Sequence, residues 1–157
     1  MHRRLDDSLP TGLDVLEVVP SAGGSLADRL QASQWRMRLP GVEVAEASAA
    51  VARFLDAGEV LVERMTKRGM RSFDCREAVI SARVSEDTSG EKECAILEVV
   101  LRHGSPSVRP DDVLAGLREV AGLDVGAAVL HQRLAQGPLD ELAGTVGDPL
   151  AADRDAV

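Results

Sequence analysis

Between Arg64 and Arg76 the chain carries five bases, Arg64, Lys67, Arg68, Arg71 and Arg76, against one acid, Asp74, a local charge of +4 in a protein of formal net charge -8. Cations at that density suit a phosphate backbone or an acidic protein surface. Gly69 follows Lys67-Arg68, where a tight turn needs a residue that tolerates positive φ. Asp74 lies between arginines and reads as an ion-pair anchor, because cations at Arg71 and Arg76 would make it a poor general acid. A plainer reading stands beside the binding one: the charges solvate an exposed hairpin and protect its edge from aggregation. Arg36 and Arg38 are secondary candidates that would extend the patch. Arg109 is another, just before a helix N-terminus whose free N–H groups favour anions, although Asp111 and Asp112 compete for that positive end.

The remaining reactive side chains form no catalytic constellation. Cys75 and Cys94 lie far apart, with no CxxC and no His103 or His131 at ligand spacing, so no metal is expected. Ser105 and Ser107 stand close to His103, but Gly104-Ser105-Pro106-Ser107 is neither a nucleophile elbow nor a phosphate loop. Glu63 and Asp74 could flank a hairpin as a carboxylate pair, for which the ion-pair reading of Asp74 is simpler. The balance leans against an enzyme, and no cofactor is expected.

Composition bounds the partners. The 157 residues suffice for one domain with a core; 45% of them are hydrophobic and 28% charged, as in a soluble globular protein. Aromatics make up only 2%, Trp35, Phe54 and Phe73, which leaves little to stack bases or hold a flat cofactor. The net negative charge excludes a protein that coats nucleic acid over its whole surface, so a polyanion must find a local patch. No apolar run approaches membrane-spanning length, and a cytoplasmic protein with reduced thiols is expected.

The elements that must position the basic run follow from periodicity. Leu13 to Val19 alternates imperfectly and predicts a strand, after which Ser-Ala-Gly-Gly-Ser at 21–25 reads as a linker. Trp35, Met37 and Leu39 alternate with Gln34, Arg36 and Arg38, a half-buried strand ended by Pro40-Gly41. Ser48 predicts an N-cap for a short helix bearing Val51, Phe54 and Leu55, with Gly58 as its left-handed C-cap. Glu59 to Asp74 reads as a hairpin with Lys67-Arg68-Gly69 at its tip. Cys75 to Val84 gives no clear signal. Ser85 to Glu93 reads as a polar turn, Cys94 to Arg102 as a central strand, Pro110 to Ala121 as a helix ended by Gly122, and Ala127 to Leu134 as a last strand. The predicted fold is α+β, a ferredoxin-like βαββαβ antiparallel sheet with helices on one face and an extra N-terminal strand. Its units are a remnant helix end and strand of a preceding unit at 1–20, a linker at 21–33, the α+β domain at 34–136, and an acidic, partly disordered tail at 137–157.

Three segments together resemble the radical-SAM-linked proteins, a bacterial family of unknown function: Leu9-Pro10-Thr11-Gly12-Leu13-Asp14-Val15-Leu16, Met65 to Arg76, and Gly104 to Leu114. The second segment, a basic-Gly-basic turn followed by Asp-x-Arg, is the most specific, and the resemblance spans about Leu5 to Leu134. It implies a protein found beside, or fused to, a B12-type radical-SAM protein, often near a gene for an RNA-processing nuclease. By that resemblance the chain corresponds to the C-terminal half to two-thirds of the family, and Cys75 replaces an aliphatic residue. The chain itself is no radical-SAM enzyme, since a [4Fe–4S] cluster of that kind takes three cysteines. The expected function is a non-enzymatic accessory domain of a radical-SAM protein that presents a transfer RNA or other RNA through the basic hairpin, with no membrane involved. The alternative is a protein–protein interaction or assembly module without nucleic-acid binding.

Overall fold

The computed structural model describes residues 5, 7–67, 69–88, 94–126 and 128–156. A short helix α1 (Leu26–Arg29) leads into strand β1 (Ala32–Pro40) and helix α2 (Val44–Asp56). Strands β2 (Leu61–Thr66), β3 (Gly69–Asp74), β4 (Val79–Glu86) and β5 (Cys94–Arg102) follow, then helix α3 (Pro110–Ala121) and strand β6 (Leu130–Gly137). Two short strands, β7 (Leu139–Asp140) and β8 (Thr145–Val146), and helix α4 (Ala151–Arg154) complete the described elements.

The architecture is α+β, as the periodicity predicts. β1 alternates as read: Met37 and Leu39 are buried on one face while Arg36 and Arg38 occupy the other. On the buried face Met37 and Leu39 meet Leu97, Val99 and Leu101 of β5, Ala47, Ala50, Val51 and Phe54 of α2, and Val113, Leu114 and Leu117 of α3 in one cluster. The main sheet runs in the order β4-β5-β1-β6 with every neighbouring pair antiparallel. That order is compatible with the ferredoxin-like plan, provided the strands counted between the helices are β4 and β5.

Here the structure corrects the sequence reading. β2 and β3 form a separate two-stranded sheet inserted between α2 and β4, whereas β4 falls in the stretch that gave no signal. The reason lies in β4 itself: Val-Ile-Ser-Ala-Arg-Val-Ser-Glu does not alternate cleanly, and its register to β5 shifts between Val79 and Ser81. The extra N-terminal strand is also absent, since no helix or strand is formed between Leu9 and Ser25. Within it Leu13 and Leu16 are 58% and 92% exposed, so the apolar residues of the expected strand do not enter the core. Two caps move as well. α2 starts a turn earlier, with Glu43 at its N-cap and Ser48 inside, because the alanine-rich run Val44 to Ala50 extends the helix upstream. It ends at Ala57 with ordinary extended dihedrals, so Gly58 is not a left-handed cap.

Pro110 and Gly122 keep their expected places: proline opens α3 and Gly122, at φ 69°, closes it. The segment expected to be an acidic, partly disordered tail is placed against the far face of the sheet, where the Ser81 hydroxyl donates to the Gly144 carbonyl at 3.1 Å. Asp153 of α4 is buried and accepts from Arg29 and from the Ala22 N–H, both at 2.9 Å, while Arg154 bridges Glu17 and Asp148. No described helix is long and apolar enough to cross a membrane.

Candidate functional site: the basic hairpin

The register of β2 with β3 assigns each side chain of the hairpin to a face. Val62 pairs with Phe73 and Arg64 with Arg71 on one face; Glu63 pairs with Ser72 and Met65 with Met70 on the other. Val62 and Phe73 are buried in the main core, which ties the base of the hairpin to the helix layer. At the tip Thr66 pairs with Gly69, whose φ of 100° lets the chain reverse, and the Thr66 hydroxyl donates to the Gly69 carbonyl at 2.8 Å.

The seven candidate residues of the hairpin, its five bases with Gly69 and Asp74, divide into anchors and exposed groups. Arg64 is an anchor: its guanidinium pairs with Asp112 at the start of α3, donates to the Ser107 carbonyl at 3.0 Å, and lies 4.9 Å from the centre of the Phe73 ring. Arg76 is a second anchor, donating to the carbonyls of Leu55 and Val79. Asp74 accepts backbone N–H groups of Val60 at 2.9 Å and Arg76 at 2.8 Å, so it stitches the end of β3 to the residue before β2. Lys67, Gly69 and Arg71 are exposed at and near the tip. Arg68 lies outside the described residues.

The secondary candidates do not join this patch. Arg36 and Arg38 face away from the helix layer, and they pair with Glu98 at 2.7 Å and Asp87 at 2.5 Å. Arg109 keeps an exposed side chain, but the N-terminus it precedes is already occupied, because the Asp112 carboxylate accepts the Arg109 N–H at 2.7 Å.

One arrangement could not be read from the sequence. The Ser33 hydroxyl lies 2.7 Å from His103 Nε2, and His103 Nδ1 lies 2.6 Å from the Leu30 carbonyl. A carbonyl only accepts, so Nδ1 carries a proton, and in the neutral imidazole Nε2 then accepts from Ser33, the polarity of a nucleophile and its base. Ser33 is only 3% exposed, which closes it to a substrate, and the pair instead fastens the start of β1 to the end of β5. The two residues are far apart in sequence and no local signal joins them. Cys75 is buried, and burial together with the charges of Asp74 and Asp112 pushes its thiol up to about 12, the behaviour of a small apolar core residue. Among the described residues no three His, Cys, Asp or Glu side chains converge to hold a metal ion.

The exposed apolar face was also missed. Leu61, Met65 and Met70 are 53%, 68% and 55% exposed, and all three stand on the face opposite Val62 and Phe73. Alternation placed them on a hairpin; which face the core would take was settled only by packing.

Fold and site together define a small α+β domain with a basic hairpin inserted beside its helix layer. The chain belongs to the family described as "uncharacterized protein conserved in bacteria (DUF2344)", whose model matches residues 1–110. No curated protein and no solved structure matches it.

Proposed function

We propose that this chain is a non-enzymatic accessory module that contacts the phosphate backbone of an RNA through the tip of the β2–β3 hairpin, in the service of a radical-SAM partner. The observation that carries the reading is the division of labour within the hairpin. Val62, Phe73, Arg64 and Arg76 hold its base, while Lys67 and Arg71 are presented to solvent on a turn permitted by Gly69. A held base lowers the ordering cost of binding, and Lys67 and Arg71, which form no ion pair among the described residues, meet phosphate without breaking one. The radical-SAM partner rests on the resemblance of Met65 to Arg76 and of its two companion segments. The shortage of aromatics favours backbone contact with little sequence preference.

The test is fluorescence anisotropy of a labelled transfer RNA titrated with the protein at several salt concentrations, beside a Lys67→Glu, Arg71→Glu variant. About three phosphate contacts at the tip give a log-log salt slope of about -2 to -3. Wild-type binding on that slope, lost in the variant, supports the reading. Absence of binding at low salt overturns it in favour of a protein-docking module, for which co-purification with a radical-SAM protein is the next measurement.

A further inference from the structure

The hairpin carries two exposed surfaces of different chemistry. Arg71 stands on the face shared with Arg64, Lys67 sits at the tip, and the opposite face presents Met65 against Met70 with Leu61 below them. A purely electrostatic contact has no use for two methionines exposed at 68% and 55%. Duplex RNA offers phosphates, sugars and a shallow groove, but its bases are stacked away from an intruding side chain. An unpaired strand offers both phosphates and open base faces. Methionine sulfur is polarizable and unbranched, and it adapts to a flat ring without the fixed geometry that an aromatic demands.

Resting on the RNA reading above, we infer that the hairpin tip selects unpaired RNA, with bases against Met65 and Met70 and phosphates against Lys67 and Arg71. The footprint is short. Below the methionines, Glu63 shares their face and, with Glu119 of α3, lines an open groove of about 460 Å³ to which Leu61, Val62 and Ala115 also contribute. These two carboxylates repel a phosphate chain running down the hairpin, so the strand crosses the tip and engages one or two bases. Charge complementarity thus confines the RNA to the end that carries the methionines and the exposed Lys67 and Arg71.

The experiment titrates the full chain with a single-stranded oligoribonucleotide and, separately, with a blunt duplex of the same length. Readouts are affinity and the methyl NMR signals of methionine, with buried Met37 as the internal reference. The expected result is tighter binding of the single strand, shifts of the Met65 and Met70 methyls with Met37 unmoved, and a loss of about three- to tenfold in single-strand affinity for Met65→Ala, Met70→Ala with duplex affinity unchanged. Equal affinity for both oligonucleotides, or binding without movement of the two exposed methyls, overturns this inference and leaves phosphate contact intact. Failure of the chain to bind either oligonucleotide overturns the RNA reading itself, and this inference with it.

Discussion

The guanidinium of Arg64, in the middle of β2, is paired with the carboxylate of Asp112 in the first turn of α3. The same carboxylate accepts the Arg109 N–H at 2.7 Å, so one side chain both caps the helix and orients the hairpin. Replacement by alanine removes the cap and leaves the largely buried Arg64 charge without its partner. Asp112→Ala is expected to cost about 2 to 4 kcal/mol, measured by urea denaturation, whereas Arg71→Ala at the exposed neighbouring position costs under about 0.5 kcal/mol. Equal effects of the two substitutions would show that Arg64 does not anchor the hairpin.

Gly116 is buried where α3 packs against Cys75, Phe54 and Val60. A Cβ built there would lie 2.8 Å from Cys75 Sγ, 2.8 Å from Phe54 Cε2 and 3.1 Å from Val60 Cγ1. Gly116→Ala is therefore expected to destabilise by about 1 to 3 kcal/mol despite the better helix propensity of alanine. Because Cys75 is one of the atoms struck, Gly116→Ala combined with Cys75→Ala should cost less than the sum of the two single changes, a coupling that thermal melts of the four proteins measure.

Both thiols are buried, and the Cys75 thiol is pushed up to about 12 by burial. Thiolate is the reactive form, so alkylation by iodoacetamide at pH 8 is expected to be slow in the native protein and to rise sharply once urea opens the core. Rapid native labelling of Cys75, located by peptide mass mapping, would contradict the packing described for it.

Acid should release the N-terminal segment only at low pH. Hydrogen bonding to Arg154 lowers Glu17, that to Arg29 lowers Asp153, and the Leu150 N–H with Arg154 lowers Asp148. A depressed native pKa stabilises the fold above the unfolded carboxylate range and is lost as the pH falls through the native values. The amide of Ala22, which donates to Asp153, should therefore stay protected from hydrogen exchange at pH 5 and lose protection below about pH 4. Loss of that protection already near pH 6 would rule out the carboxylates as the fastening.

The sequence determined the local features whose causes are local. Alternation in Trp35 to Leu39, the continuous apolar run of β5, proline and glycine at the ends of α3, and the glycine-permitted turn of the hairpin all appear where the residues placed them. So does the concentration of positive charge, since composition is blind to folding. What only the tertiary structure decided is which strands share a sheet and which charges remain free. β4 lacks a clean period and takes its extended form from β5, which is a long-range pairing that no local pattern encodes. Five bases looked equivalent along the chain, yet Arg64 found Asp112 and Arg76 found the Leu55 and Val79 carbonyls, while Lys67 and Arg71 stayed exposed. A charge becomes an anchor or a contact according to the partners packing brings to it, and partners distant in sequence meet only when the layers close.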